Sequence, residues 1–367
     1  MITELLETYN AQFFVQYASS RDANFFYSTG FRVHDPVLYV LGSDGTDLLV
    51  VPDMEKGRAE RESRVREIAG LGDIGYYENL RYYRDPRTAL AQTYLELLLS
   101  HGARKVLVPS NFPSFLSFYL LKQLEVEVVE NPFSKMRAVK RRDEIEKIKE
   151  VADITIKAFE HGLNFIKARK RCEVVRNEIE TYLYSRRYFA EDTIVSSGKL
   201  SADPHHIGMG ELEKHVVVDI FPRSRVHGYH ADFTRTVLLE DFKEIEEMLE
   251  ACIEAKNRAI KMIKEGVFAS EVHQKVCDIL EDHGYHTLRH KAGEGFIHST
   301  GHGIGLEVHE LPRIFESGEK LKAGMVFTIE PGLYYRKWGG VRVEDTVVVK
   351  KNGCEVLTPY PDRVDLR

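Results

Sequence analysis

The chain has 367 residues, more than one compact core usually holds, so two domains are expected. A formal net charge of −6 at pH 7 argues against a general binder of nucleic acid or of membrane surfaces. No apolar run approaches the roughly 20 residues of a membrane-spanning helix. The N-terminal segment carries acids where a signal peptide carries a basic region. A cytoplasmic protein fits these features best.

Residues 1–132 are predicted to form a smaller α/β domain. Two apolar runs at residues 37–41 and 48–51 flank the turn sequence SDGT, which is typical of a hairpin. Further along, the pattern predicts a helix, a strand, a helix and a strand at residues 89–99, 105–108, 115–124 and 126–129. No cluster of catalytic groups stands out in these segments, so we interpret this domain as one that shapes the protein.

The stretch at residues 135–142, KMRAVKRR, is basic and lacks apolar periodicity. We interpret it as a solvated connector that leads into a helix. An arm that binds nucleic acid is the alternative.

Residues 133–367 are predicted to form an α+β domain of two related halves. The first half has helices at residues 145–166 and 174–184, then strands at residues 193–197, 216–221 and 229–239. The second half has helices at residues 245–263 and 272–280, then strands at residues 325–335 and 341–349. The repeat lies in the order of elements, with strands that suit antiparallel sheets, and a site is expected where the halves meet.

The cysteines are far apart in the sequence and form no CxxC pair: Cys172, Cys252, Cys277 and Cys354. This spacing argues against a disulfide framework and against a thiolate zinc site. Any metal must therefore be held by oxygen and nitrogen atoms.

Two aspartates follow or precede apolar strands of the first half. Asp219 ends the run HVVVD, where a buried carboxylate is costly unless it is paired or bound to a cation. Asp232 lies 232 − 219 = 13 positions later, on the next strand. In a hairpin the two carboxylates would face each other. Two aspartates at turns or strand edges are the alternative.

The segment FIHSTGHGIGLEVHE combines histidines with glycines. His298, His302 and His309 stand among three glycines, which permit unusual backbone angles and close approach to a ligand. A single histidine in an apolar strand is usually a core residue with its hydrogen bonds satisfied. Three histidines beside three glycines favour a segment that wraps a ligand.

Two glutamates interrupt apolar strands of the second half. Glu330 precedes a Pro-Gly pair, and Glu344 follows Arg342 by two residues, which places both side chains on one face of the strand. A metal ion, or a salt bridge with Arg342, would compensate these carboxylates.

Together the pattern offers four carboxylates and one imidazole. Four negative charges balance two divalent cations, and dinuclear hydrolase sites hold their ions ~3.5–4 Å apart. Carboxylate-rich ligand sets favour Mn²⁺, with Co²⁺ also suitable, over thiolate-seeking zinc. The residues therefore predict a hydrolase with two divalent metal ions.

Three stretches, GHGIGLEVHE, TIEPG and VRVEDT, resemble in this order the signature of the metallopeptidase family with the pita-bread fold. That family includes methionine aminopeptidase, aminopeptidase P and Xaa-Pro dipeptidase (prolidase). The resemblance covers residues 133–360. Residues 1–132, most visibly NFFYSTGF, are similar to the creatinase-type N-terminal domain of the proline-specific members.

This resemblance implies hydrolysis of the Xaa-Pro peptide bond, with dipeptides as the favoured substrates, and a homodimer. Aminopeptidase P, which releases an N-terminal residue before proline from longer peptides, is the alternative within the enzymes. A catalytically inactive or metal-free binding protein on the same fold is the alternative of another class. No nucleic acid or membrane partner is expected.

The resemblance also implies a role for each metal ligand. Asp219 would bind one metal, and Asp232 and Glu344 would bridge both. Glu330 and His302 would complete the first metal site, and Glu330 would also accept and relay a proton.

Further roles come from the same match. His309 corresponds to the histidine that contacts the scissile carbonyl, and His298 to one that lines the site. The proton-shuttle histidine corresponds to His205, with His206 as the near alternative. The remaining matches are Arg342, beside the bridging glutamate, and Arg313, which would bind the carboxylate of the substrate.

One departure from the family concerns the connection between Asp219 and Asp232. It is two residues longer than the family usually has, and the segment between His205 and Asp219 is shortened. We expect a longer hairpin tip beside an intact site, with an effect on substrate fit at that edge.

Overall fold

The computed structural model describes residues 2–367 and divides into two compact units, Met1–Met136 and Arg137–Arg367. The domain boundary predicted after residue 132 falls at the first residue of a short helix, α7 (Pro132–Ala138). No described helix is both long and apolar enough to cross a membrane.

The first unit is built around one six-stranded mixed sheet. Its strands are β1 (Phe13–Ala18), β2 (Val37–Gly42), β3 (Asp47–Val51), β4 (Glu67–Gly70), β5 (Lys105–Pro109) and β6 (Glu125–Val129), in the order β4-β3-β2-β1-β5-β6. Its helices are α1 (Ile2–Tyr9), α2 (Ala23–Thr29), α3 (Asp53–Glu62), α4 (Tyr76–Tyr83), α5 (Pro86–Ser100) and α6 (Ser114–Leu120).

Apolar clusters cover both faces of this sheet. Along the central strand β1, Phe13 and Val15 belong to one cluster and Phe14 to the other, as the alternation of a strand requires. The predicted hairpin is confirmed, since Leu38 of β2 pairs with Val50 of β3.

The second unit has two helix pairs and two larger sheets. The helices are α8 (Arg142–Lys167), α9 (Cys172–Tyr184), α10 (Lys243–Met262) and α11 (Ala269–Asp282). The strands of the first half are β7 (Tyr188–Phe189), β8 (Ile194–Ser197), β9 (His215–Ile220), β10 (Arg223–Ser224) and β11 (Phe233–Leu238). Those of the second are β12 (Gly301–Gly303), β13 (Glu310–Ile314), β14 (Val326–Ile329), β15 (Gly332–Tyr335), β16 (Gly339–Arg342), β17 (Asp345–Lys350) and β18 (Gly353–Val356). The last strand, β19 (Val364–Asp365), returns to the sheet of the first half.

Each helix pair shares an apolar core with its own sheet. The pair α8 and α9 packs with the sheet β19-β11-β9-β8, and the pair α10 and α11 packs with the sheet β13-β12-β14-β17-β18. The larger sheets are antiparallel except for the pairing of β11 with β19. The predicted α+β domain of two helix-pair halves is therefore confirmed, as is the α/β character of the first unit.

The prediction of two long strands at residues 325–335 and 341–349 is wrong in detail, because each of them is split into two shorter strands. The break between β14 and β15 falls at Glu330 and Pro331, and the break between β16 and β17 falls at Val343 and Glu344. The strands β14 and β17 pair with each other, whereas β15 and β16 form a separate two-stranded sheet. The chain thus changes sheet at both glutamates, which brings the two carboxylates to neighbouring positions.

The basic stretch at residues 135–142 is also corrected. Arg137 and Lys140 are buried, and both contact the carboxylate of Glu310, whose side chain is only 3% exposed. A buried charge requires a charged partner and further hydrogen bonds. Because that partner lies some 170 residues away in the sequence, charge patterning alone predicted a solvated connector.

Candidate metal centre

Two antiparallel strands of the first half position the aspartates. Asp219 of β9 lies opposite Thr234 of β11, and Asp232 comes directly before β11. Both side chains are buried, and the Oδ1 atom of each has no hydrogen-bond partner among the described residues. The predicted hairpin is confirmed, and its unpartnered carboxylate oxygens are suited to a cation.

Glu344 reaches the same place from the second half. Its carboxylate is buried, and Oε2 accepts a hydrogen bond of 2.6 Å from the Thr234 hydroxyl, while Oε1 has no partner among the described residues. The salt bridge considered between Glu344 and Arg342 is not formed. The Arg342 guanidinium instead lies 2.6 Å from Oδ2 of Asp219.

His302 and Glu330 complete the cluster. The His302 Nε2 atom is 3.3 Å from Oε1 of Glu330 and 3.7 Å from Oδ2 of Asp232. The His302 Nδ1 atom lies 3.2 Å from the Gly303 carbonyl oxygen. Donation from Nδ1 to this carbonyl leaves the Nε2 lone pair facing the carboxylates, which is the arrangement of a metal-binding histidine.

Glycines beside His302 are required by close backbone packing. A Cβ atom on Gly301 would lie 1.8 Å from the Thr328 carbonyl oxygen, and one on Gly303 would lie 2.1 Å from that of Leu311. Any side chain at either position would push neighbouring strands apart. These glycines therefore allow β12 to present His302 between β13 and β14.

The electrostatics of the cluster fit divalent cations. Burial and neighbouring carboxylates raise the pKa of Asp232 and Glu344 well above the ordinary range. Burial raises the pKa of Glu330 to about 7, against the opposing charge of Arg342. One nitrogen of His302 and one oxygen each of Asp232 and Glu344 lie within 4.8 Å of one another. Oxygen atoms and one imidazole, with unpartnered lone pairs, form a suitable donor set.

A hydrogen-bonded chain extends from the aspartate side of the cluster. Arg342 also donates to the Tyr334 hydroxyl at 2.8 Å, and that hydroxyl lies 3.0 Å from Nε2 of His298. The His298 Nδ1 atom lies 2.7 Å from the Ser299 carbonyl oxygen, so both ring nitrogens are engaged. Burial, then the charge of Arg342, lowers the pKa of His298 to about 3, which keeps its ring neutral.

Three further predicted residues lie around the centre. The exposed ring of His309 packs edge-on against His302, with centroids 4.2 Å apart, and Arg313 lies opposite His302 in the pairing of β12 with β13. His205 is exposed, and it lowers the pKa of Glu330, though less than Arg342 does. His206 instead accepts a hydrogen bond at Nδ1 from the Gly208 N–H at 2.9 Å.

Comparison with known proteins identifies the family. Residues 146–351 match the model of metallopeptidase family M24, and residues 2–139 match that of the creatinase/prolidase N-terminal domain. The chain belongs to metallopeptidase family M24. The predicted pita-bread fold, the creatinase-type N-terminal domain and an enzyme of this peptidase family are thereby confirmed.

Named relatives of this M24 peptidase include proline-specific enzymes. The Xaa-Pro dipeptidase of Pyrococcus furiosus is 33% identical over 326 residues, 87% of this chain and 86% of the relative. The prolidase structure from Pyrococcus horikoshii OT3 has a TM-score of 0.83 and 28% identity, and covers 98% of this chain and 97% of its own. The X-Pro aminopeptidase structure from Thermotoga maritima MSB8 has a TM-score of 0.80 and 27% identity, with 97% and 98% covered.

The connection between Asp219 and Asp232 forms a hairpin tip that packs on helix α8. Within the tip, Ser224 N–H donates to the Tyr229 carbonyl oxygen at 2.9 Å. The Tyr229 hydroxyl donates to the buried carboxylate of Glu144 on α8, at 2.5 Å. The Tyr188 hydroxyl, on the strand that pairs with the tip, donates to Glu150 of the same helix at 2.6 Å. Helix α8 therefore supports this hairpin tip.

Sequence reasoning missed the hydroxyl groups that hold the candidate ligands. Thr234 donates to Glu344, Thr328 donates to Glu330 at 3.2 Å, and Tyr334 links Arg342 to His298. The available signal is a hydroxyl residue in a buried apolar strand next to a carboxylate, as in DFT and TIE.

Proposed function

We propose that this M24 peptidase hydrolyses the Xaa-Pro peptide bond, with dipeptides as the favoured substrates. The observation that carries the proposal is the convergence of four carboxylates and one imidazole, with unpartnered carboxylate oxygens on Asp219, Asp232 and Glu344. The named proline-specific relatives support the choice of bond.

Two divalent cations, Mn²⁺ or Co²⁺, complete the proposed centre. Asp219, Asp232, His302, Glu330 and Glu344 would hold these ions, with Asp232 and Glu344 shared between the two. When bound, such ions make water nucleophilic near neutral pH and polarise the scissile carbonyl.

The proposed roles of the chain's own groups follow from where they lie. Glu330 accepts the proton of the attacking water, because its carboxylate lies 3.3 Å from Nε2 of His302 and is held by the Thr328 hydroxyl. His309 donates to the carbonyl oxygen as negative charge develops there, which is worth about 3 kcal/mol for a preorganised donor. Arg342 and His298 hold the centre through Asp219 and Tyr334.

His205, rather than His206, is proposed to deliver the proton to the leaving proline nitrogen. His205→Ala is expected to lower kcat by about 100-fold or more, the usual size of a lost acid–base contribution. His206→Ala is the matched control and should stay near wild type, because its ring is engaged by Gly208 N–H. Steady-state kinetics on Ala-Pro decides between them, and the opposite order would reassign the shuttle to His206.

Arg313 is proposed to bind the free carboxylate of the dipeptide. It forms no ion pair with another described residue, although it lies across the strand pair from His302. Because a charged hydrogen bond contributes about 1.5–3 kcal/mol, Arg313→Ala should raise KM for Ala-Pro by about 10–100-fold. Arg258→Ala, an exposed change on α10, is the control. An unchanged KM for Ala-Pro would contradict the proposed clamp.

A short substrate panel tests the function itself after reconstitution with Mn²⁺ or Co²⁺. Cleavage of Met-Pro and Ala-Pro but not of Ala-Pro-Ala would support a dipeptidase. Comparable cleavage of Ala-Pro-Ala would favour aminopeptidase P, which the likeness to the Thermotoga maritima enzyme keeps as the second candidate. Met-Ala-Ser is the control peptide without proline.

The remaining alternative is a binding protein without catalysis. Stoichiometric Mn²⁺ or Co²⁺ in the purified protein, together with turnover, would contradict it. A homodimer and a cytoplasmic location stay predictions, and sedimentation of the purified chain would test the first.

A further inference from the structure

The buried guanidinium of Arg235 lies next to the candidate metal centre, against the backbone of Glu344. Arg235 on β11 is 0% exposed and is the largest of the fully buried side chains. Burial of a guanidinium is costly unless its charge is paired and each N–H group has an acceptor. The acceptors of the Arg235 hydrogen bonds therefore show which segments this side chain holds together.

Every donor group of Arg235 is used. Nη1 donates to the carbonyl oxygens of Thr234, at 2.9 Å, and of Glu344. Nη2 donates to Oδ1 of Asp345 at 2.8 Å and to the Tyr360 carbonyl at 2.9 Å, and Nε donates to the Pro361 carbonyl at 2.9 Å. A planar fork of five donors thus joins β11, residues 344–345 and residues 360–361.

The charge of Arg235 is balanced in a network of two basic and two acidic side chains. Asp345 also accepts from Lys256 on α10, which is 1% exposed, and Lys256 in turn contacts Asp362. Two cations and two carboxylates therefore neutralise each other. The carboxylates of the candidate metal centre are not neutralised in this way, because three of their oxygens have no hydrogen-bond partner among the described residues.

Asp345 is also connected to Asp232, the other proposed shared ligand, through two threonines. The Thr346 hydroxyl donates to the Asp232 carbonyl oxygen at 2.9 Å. The Thr346 N–H donates to the Thr358 hydroxyl at 3.0 Å, and that hydroxyl lies 3.2 Å from Asp345. The backbones of Asp232 and Glu344 are therefore both held by groups that residues 358–362 support.

We propose that Arg235 is a positioning residue of the metal centre: it ties the backbone of Glu344 to residues 360–361. Thr346 and Thr358 tie the backbone of Asp232 to the same C-terminal segment. The proposal rests on the proposed function only in taking these two carboxylates as shared metal ligands. Side chains that hold ligands in place tune metal affinity, and their loss typically weakens it about 10–100-fold.

The experiment measures Mn²⁺ affinity of the full-length, metal-free protein by calorimetry at 25 °C, with circular dichroism as the check of folding. Arg235→Met should weaken Mn²⁺ binding about 10–100-fold. Arg235→Lys should lie between Arg235→Met and wild type, because it keeps the charge but loses the fork. Thr346→Val, a near-isosteric change that removes only the hydroxyl bond to Asp232, keeps the test informative if Arg235→Met fails to fold.

Ile179→Ala is the control for general destabilisation. Ile179 lies on α9, is fully buried and packs in the apolar core that the first helix pair shares with its sheet. Its Mn²⁺ affinity should stay at the wild-type value. Loss of Mn²⁺ affinity in Ile179→Ala equal to that in Arg235→Lys would overturn the inference, as would folded Arg235→Lys and Thr346→Val proteins with wild-type affinity.

Kinetics supply a second readout. Arg235→Lys should need a higher Mn²⁺ concentration for half-maximal kcat, with KM for Ala-Pro unchanged at saturating Mn²⁺. A wild-type protein that binds Mn²⁺ without cleaving Xaa-Pro peptides would contradict the proposed function, while the order of Mn²⁺ affinities would still decide this inference. A shift in KM alone, with unchanged Mn²⁺ dependence, would contradict the positioning role.

Discussion

Replacement of Glu330 by glutamine is expected to lower kcat for Ala-Pro by about 10²–10⁴-fold, the range of a lost acid–base group. Glutamine keeps the shape and the bond from Thr328 but cannot accept a proton. The fold should persist, because the change removes one of four carboxylates buried close together. Kinetics at saturating Mn²⁺ and thermal melting of the metal-free protein measure the two effects.

Glu355→Gln is the matched control for this change. Glu355 lies on β18, pairs with Lys149 and Lys350, and makes no contact with the candidate ligands. Its kcat should equal that of wild type. Full activity in Glu330→Gln would contradict the role of Glu330 as proton acceptor. Loss of the folded state would mean that Glu330 has a structural role instead.

Replacement of Asp232 by asparagine is expected to stabilise the metal-free protein and to abolish its stabilisation by Mn²⁺. Burial and the charges of Glu344 and Asp219 disfavour the ionised form of Asp232, and its Oδ1 atom is unpartnered among the described residues. Removal of that charge should raise the free energy of unfolding near neutral pH by about 0.5–2 kcal/mol, the usual size of a single stabilising substitution.

Urea unfolding with chelator and with excess Mn²⁺ separates the two effects. A ligand at 100 times its dissociation constant stabilises a protein by about 2.7 kcal/mol, and this difference should be present in wild type and lost in Asp232→Asn. Asp153→Asn, an exposed change on α8, should retain it. A variant that is less stable without metal and still stabilised by Mn²⁺ would contradict Asp232 as a ligand.

Much of the candidate site was predictable because carboxylates and histidines stood out against apolar strands. The hairpin of Asp219 and Asp232 is confirmed, and His302 lies beside Glu330 as the motif order implied. Several elements of the first unit were not predicted, including the central strand β1, whose sequence FFVQYA is buried on both faces and lacks a clear alternation.

The sequence by itself determined which chemical groups are available for metal binding and that two helix-pair halves present them. Local patterns suffice for this, since a polar residue in an apolar run is visible without its partner. Only the tertiary structure decided how the buried charges are paired. Arg342 pairs with Asp219, Lys140 with Glu310, and Arg235 with Asp345. These partners lie more than 100 residues apart in the sequence, so only the packing of distant strands determines which charges meet.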